Sequence, residues 1–210
     1  MSDDRRPVRG EHGRSTATLL PRLKRRGCNL LVSGPVSPMT TNQASVRLFG
    51  APEIDRTRLV VRTDTETAVD DVLPGDLTAQ SPDVHVVDAA TYADHDAPLV
   101  ALSEDISRAV DNFTSSAAHR IGGELRLCVT SVDALLDSYG LAATENFLRR
   151  TTGAVLTARG MGHYRLSGPR SASSIPAADI FDAFVDLREG TTCEHRISVP
   201  TVASTNWVAL

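Results

Sequence analysis

The residues that come closest to a chemical function lie between Gly34 and Thr41. They directly follow a short apolar run, Leu30 to Val32, which predicts a strand buried on both faces. A strand, a glycine turn and a helix form the frame of a phosphate-binding loop, G-x-x-x-x-G-K-[ST]. The segment keeps the first glycine and the final threonine of that pattern. Met39 and Thr40 replace the second glycine and the lysine.

These replacements remove the groups that bind phosphate. Such a loop works through backbone N–H groups, a close approach at glycine and a lysine charge. Pro35 and Pro38 each lack an N–H, and Met39 is bulky where the backbone should come near. Each charge-assisted hydrogen bond contributes roughly 1.5–3 kcal/mol. The loss of several would therefore abolish useful affinity in a site that bound nucleotide with a micromolar dissociation constant. We therefore interpret the segment as a plain strand-to-helix turn.

A weak anion site at the helix N-terminus is the alternative interpretation of this segment. Its candidate binding residues are Gly34, Thr40 and Thr41, joined by Thr130 and Ser131 after a later strand. We predict no resident cofactor, and ATP with Mg²⁺ is disfavoured. We assign no catalytic residue, and the degenerate phosphate loop favours a protein without enzymatic activity.

The sequence evidence for other catalytic or metal-binding sites is equally weak. Asp94-His95-Asp96 could ligate a metal, but three adjacent residues point in different directions, so we predict no metal site. His163 could be a general base, yet no Ser or Cys nucleophile with an elbow motif accompanies it. We expect an interior or rim histidine there. No G-x-G-x-x-G fingerprint follows the first strand, which disfavours dinucleotide binding.

The composition predicts a single cytoplasmic domain. A chain of 210 residues can bury a sizeable core, and no apolar run approaches the length of a membrane span. The polar, arginine-rich start lacks the apolar region of a secretory signal. Cys28, Cys128 and Cys193 are odd in number and widely separated, which favours thiols in a reducing compartment.

Charge is distributed unevenly along the chain. Residues 1–26 contain eight basic and three acidic side chains, whereas the remainder is acidic. We interpret 1–18 as a basic, partly disordered leader. It contains no aromatic side chain on which a base could stack, so we predict no nucleic-acid partner. Arginine and aspartate prevail, and Lys24 is the single lysine, which suits a salt-rich cytoplasm or a GC-rich gene.

Alternating strand and helix patterns predict an α/β domain over 19–200, followed by a tail, 201–210. We expect a mostly parallel sheet with helices on both faces and an antiparallel C-terminal edge hairpin. Ser37, Pro38 and Gly50 supply the cap, first residue and end of the first helix. The expected strands are 30–32, 58–63, 84–88, 125–130, 161–166, 183–188 and 195–199. The expected helices are one or two turns over 19–26, then 37–50, 99–113, a short one from 132, 142–158 and a short one at 176–182.

In such a sheet, ligands bind at the carboxyl ends of the parallel strands. The residues that follow or end these strands are mostly small and polar. They are Ser33, Gly34, Thr63, Asp64, Asp88, Thr130, Ser131 and Arg165. We expect them to gather at one rim of the sheet.

The order of these strands and helices, with the phosphate-loop frame after the first strand, resembles that of the RecA/KaiC-like P-loop ATPases. More narrowly, LKRRGCNLLVSG, RLFG, LRLCVTSVDALLD and GMGHYRL resemble a RecA-like family of uncharacterised proteins from halophilic archaea, over about residues 20–200. The resemblance implies a RecA-type core. It also implies a magnesium-binding aspartate where this chain has Thr130, and a water-activating glutamate near Asp64 or Glu66. The lysine and the aspartate are therefore both missing.

We predict a RecA-like domain that has lost ATPase chemistry and acts by binding, with protein as its partner, in cytoplasmic signalling or regulation. Assembly into homo-oligomers is what the resemblance suggests. One alternative is a divergent nucleotide hydrolase that takes its cation from elsewhere, for which Lys24 is the available lysine. Another is a DNA-binding regulator that uses residues 1–26, with affinity that falls steeply as salt rises.

Overall fold

The structure is a computed structural model that describes residue 23 and residues 25–115, 122–168, 178–200 and 203–210. The predicted leader, 1–18, lies outside the described residues. So does part of the short helix predicted at 176–182, of which 178–180 form a 3-10 turn. None of the described helices is both long and apolar enough to cross a bilayer.

The first strand and helix form as the local sequence predicts. Strand β1 spans Cys28–Gly34, and helix α1 spans Pro38–Phe49. Ser37 is the N-cap, and its side chain accepts a hydrogen bond from the Thr40 N–H. Gly50 follows the helix with φ 79°, a conformation that favours glycine. Phe49 is fully buried, as expected of the inward face, whereas Val46 is half-buried.

A nine-stranded sheet forms the centre of the domain, which confirms the predicted fold class. Its main order is β3-β2-β4-β5-β1-β6-β7-β8, and β9 also pairs with β7. The pairings among β1 to β6 are parallel, and β6 and β7 form the predicted antiparallel hairpin. The further strands are β2 (Thr57–Arg62), β3 (Val84–Asp88), β4 (Leu125–Val129), β5 (Met161–Ser167), β6 (Ala183–Glu189), β7 (Cys193–Val199), β8 (Ala203–Ser204) and β9 (Val208–Ala209).

Helices cover both faces of the sheet. Helices α2 (Pro98–Ser115) and α3 (Val132–Thr157) pack on one face over a large apolar core, and α1 lies on the other. Gly140 interrupts α3 with φ 74° and ψ 172°, so this element consists of two helices joined at a kink. That division agrees with the short helix and the longer helix predicted on either side of it.

The segment predicted as a tail takes part in the sheet where the structure describes it. Residues 203–204 and 208–209 pair with β7, so the hairpin strand lies between β6 and these short strands. Between them, the Trp207 ring lies under the guanidinium groups of Arg188 and Arg196, at 4.1 and 4.8 Å from the ring centroid. These cation–π contacts hold the end of the chain against the hairpin.

Candidate functional site

The turn after β1 is shaped by packing against its neighbouring strand. A Cβ on Gly34 would lie 2.2 Å from the Leu187 carbonyl oxygen on β6, a contact that no side chain tolerates. The Gly34 carbonyl in turn accepts a hydrogen bond from the Val36 N–H at 2.9 Å. A glycine is therefore needed here for the β1–β6 contact, whether or not a phosphate approaches the backbone.

A carboxylate of the protein itself occupies the N-terminus of α1. Oε1 of Glu189, the last residue of β6, accepts hydrogen bonds from the Ser37 N–H at 2.9 Å and from the Ser37 hydroxyl at 2.5 Å. It also accepts one from the Thr40 hydroxyl. These hydrogen bonds hold the pKa of Glu189 below its ordinary value. An anion favoured by the helix dipole is thus already in place.

The two threonines of the degenerate loop point to different surroundings. Thr40 is 2% exposed and faces the hairpin, where its hydroxyl lies 3.1 Å from the Cys193 sulfur. Thr41 lines a cavity at the rim of the sheet, although both its N–H and its hydroxyl donate to the Ser37 carbonyl. The Thr40 N–H is bonded to the Ser37 hydroxyl oxygen. Most amides that could cradle a phosphate therefore have partners within the chain.

Opposite this loop, Thr130 joins the ends of β2 and β4. Its hydroxyl accepts from the Thr63 N–H at 3.0 Å and donates to the Asp64 carboxylate at 2.6 Å. The Asp64 carboxylate also accepts from the N–H groups of Glu66 and Thr67. Burial raises the pKa of Asp64, but the hydrogen bonds from Thr130 and Thr67 and the charge of Arg165 lower it below its ordinary value. Asp64 is therefore held as a carboxylate beside Thr130.

Four strand ends surround a cavity of about 230 Å³ beside this network. As predicted, the structure brings Gly34, Asp64, Thr130, Ser131 and Arg165 together there. Ser33, Thr63 and Asp88 do not line the cavity, and Asp88 pairs with Arg62. Sequence reasoning did not place Asn42 or Asp133 in this wall, because their side chains reach it from helices rather than from strand ends.

Arg165 is the buried cation of the cavity. Strand alternation puts it on the α1 face of β5, and only 7% of the residue is exposed. Its Nε and Nη1 atoms have no hydrogen-bond partner among the described residues. The nearby carboxylate of Asp133 instead accepts from the Ser167 N–H at 2.7 Å.

His163, two residues before Arg165, is an interior histidine. Burial and the charges of Arg165 and Arg126 lower its pKa to about 3. Its ring packs edge-on against Phe49 at a centroid distance of 5.0 Å. A group that is neutral and enclosed in this way is unsuited to general-base catalysis near neutral pH.

Metal binding has little structural support. Within the described ranges, no group of three His, Cys, Asp or Glu side chains is placed to hold an ion. The Asp94-His95-Asp96 segment lies in the turn before α2, where the His95 ring is 5.5 Å from that of Tyr92. The cysteines carry thiols rather than disulfides, and burial raises the pKa of Cys128 to about 12.

The sheet order, the turn at Gly34 and the cavity at the strand ends define a RecA-like α/β domain. The fold is similar to that of a KaiC-like protein from the hyperthermophilic archaeon Pyrococcus horikoshii, with a TM-score of 0.58 over 87% of this chain and 83% of that one. The two sequences are 12% identical, so this similarity concerns the fold alone.

The particular family follows from the sequence. The family of unknown function DUF7504 has a model that matches residues 27–187, and the chain belongs to that family. The matched region begins just before β1 and ends in β6, so it contains the turn, the cavity and the whole parallel part of the sheet. A search of curated proteins finds no match.

Proposed function

We propose that this RecA-like domain has lost ATPase chemistry and acts by binding another protein in cytoplasmic signalling or regulation. The observation that carries the proposal is the Glu189 carboxylate on Ser37 and Thr40. A triphosphate would have to displace this carboxylate, and neither a loop lysine nor a magnesium aspartate would compensate for its loss. The short halophile-like segments and the excess of arginine and aspartate support a cytoplasm rich in salt.

The backbone of the loop supports the same proposal. The N–H groups of Val36, Ser37, Thr40 and Thr41 all donate to oxygen atoms of the protein. Pro35 and Pro38 have none to offer. Phosphate binding at helix N-termini depends on such amides being available, so the loop would have to rearrange to bind.

Nucleotide turnover and nucleotide binding test the proposal together. The purified chain is mixed with labelled ATP and Mg²⁺ at high salt and is titrated calorimetrically with ATP and GDP. We expect no turnover and no saturable heat. Turnover that disappears in Thr41→Ala and Asp133→Asn but persists in Thr157→Ala, a substitution on the exposed surface of α3, would overturn the proposal. Turnover that survives all three substitutions would be assigned to a contaminating enzyme.

A divergent nucleotide hydrolase is the second candidate, favoured by Arg165 at the cavity, whose Nε and Nη1 have no partner among the described residues. It predicts nucleotide binding that is abolished by Arg165→Gln, or by Lys24→Ala if the lysine contributes. Two observations weigh against it. The cavity is smaller than the roughly 300–1,000 Å³ typical of pockets for drug-sized ligands. Asp64, Glu66 and Asp133 would also repel a polyphosphate.

A further inference from the structure

Two nitrogens of the Arg165 guanidinium, Nε and Nη1, are buried without a hydrogen-bond partner among the described residues, so they are available to a ligand. Arg165 is more than nine-tenths buried and lines the rim cavity. Among the described residues it makes no ion pair, although its charge lowers the pKa of Asp64. A buried charge with unsatisfied hydrogen-bond donors is costly to the folded state. A ligand oxyanion in the cavity would remove that cost.

The same cavity contains a buried acceptor that also lacks a partner. Oδ1 of Asn42, on the second turn of α1, has no hydrogen-bond donor among the described residues. Arg165 supplies only donors, whereas this Asn42 atom accepts. The two together match a ligand that carries an acceptor at one end and a donor at the other.

The charges around the cavity also favour a ligand with one negative and one positive group. One arginine faces the carboxylates of Asp64, Glu66 and Asp133. Asp64 and Asp133 already accept hydrogen bonds from the chain, and Glu66 is exposed. A simple anion would gain from Arg165 but would be repelled by these acids. A molecule that also bears a positive group would be attracted by both.

We propose that the cavity binds a small zwitterion of amino-acid size, with its carboxylate against Arg165 and its amino group towards Asn42 and the acidic side chains. The cavity volume of about 230 Å³ sets the size class. This proposal names a ligand class for the binding domain proposed above. It rests on the proposed function in one respect, which is that no triphosphate occupies the rim of the sheet.

Thermal-shift measurements with each of the twenty standard amino acids test this proposal, followed by calorimetry on any that stabilises the chain. We expect saturable binding of at least one, and binding about tenfold or more weaker in Arg165→Gln, because a charge-assisted hydrogen bond is lost. Arg62→Gln is the matched control. Arg62 ends a neighbouring strand but pairs with Asp88 outside the cavity, so this variant should bind like the natural chain.

Analogues of the bound amino acid test the two ends of the ligand separately. We expect its deamino acid and its decarboxylated amine each to bind at least tenfold more weakly. If the deamino acid bound as tightly as the amino acid, the cavity would be a simple anion site, and the zwitterion proposal would be wrong. Absence of saturable binding by all twenty, or full binding in an Arg165→Gln variant with native circular dichroism, would also overturn it. Because none of these measurements uses nucleotide, their failure is distinct from a failure in the ATP assay.

Discussion

Oε1 of Glu189 lies 2.9 Å from the Ser37 backbone nitrogen, although the two residues are 152 positions apart in sequence. The contact joins the end of β6 to the N-terminus of α1. At the other end of α1, Arg56 donates to the Phe49 carbonyl and Arg126 donates to the Leu48 carbonyl. The helix dipole therefore meets an anion at its positive end and cations at its negative end. These contacts fix both ends of α1 to the rest of the domain.

The Glu189 contact predicts a pH-dependent stabilisation. Since the pKa of Glu189 is lower in the folded chain, its contribution is complete above the unfolded value of about 4.5 and is lost as pH falls through the folded value. We expect Glu189→Gln to lower the free energy of unfolding at pH 7. Below pH 4.5 the free energies of unfolding of the variant and the natural chain should become more similar. Urea unfolding at a series of pH values measures this difference.

Glu194→Gln is the control for that experiment, because Glu194 lies in the same hairpin and pairs with Arg188 instead of α1. The Glu194 variant should lower the free energy of unfolding at pH 7 less than Glu189→Gln does, because an exposed ion pair contributes little. A Glu189→Gln variant as stable as the natural chain at pH 7 would contradict the assignment of this carboxylate as the anion that caps α1.

Gly34 provides a prediction that separates packing from phosphate binding. Gly34→Ala should lower the free energy of unfolding by about 1–3 kcal/mol without any ligand, because the new methyl group overlaps the Leu187 carbonyl. Gly153→Ala is the matched control. Nothing lies within 4 Å of a Cβ at Gly153, inside α3, so alanine should stabilise the chain by about 1 kcal/mol. Equal effects of the two substitutions in chemical unfolding would disprove the packing explanation.

Thr130 should be a structural junction. Thr130→Val leaves the Thr63 N–H without its acceptor and removes a donor from Asp64, so it should cost about 1–3 kcal/mol of unfolding free energy. Thr157→Val changes an exposed threonine and should stay within about 0.5 kcal/mol. Chemical denaturation compares the two variants. If Thr130→Val were as mild as the control, the link between β2 and β4 would contribute little.

Local patterns were sufficient to predict most of the fold. Val84–Asp88 is an apolar-rich run bounded by turn residues, and it forms β3 with the predicted ends. The cap at Ser37 and the end at Gly50 depend on side-chain and backbone chemistry within a few residues. The rim followed from a general property of parallel sheets, which explains why Gly34 and Arg165 were placed at the same end in advance.

The contacts that decide the chemistry of the site could not be predicted in this way. Glu189 reaches Thr40 across 149 positions, and no local pattern marks an acidic residue at a strand end as a helix cap. The unsatisfied Nε and Nη1 of Arg165, which have no partner in the part of the chain that the structure describes, depend on how α1 and the neighbouring strand ends enclose this side chain. The short strands β8 and β9 form by pairing with β7, because two residues carry too little periodicity to indicate a strand.

His163 should make the domain sensitive to acid. Its pKa is lowered to about 3 by burial, against an ordinary value of 6.5, so the unfolded chain takes up a proton that the folded chain excludes. Its contribution to stability is therefore complete above pH 6.5 and declines steadily as pH falls towards 3. We expect His163→Leu to flatten the pH dependence of the unfolding free energy in this range, and His85→Gln, on the exposed side of β3, is the comparison variant. An unchanged slope in His163→Leu would mean that water reaches this ring in solution.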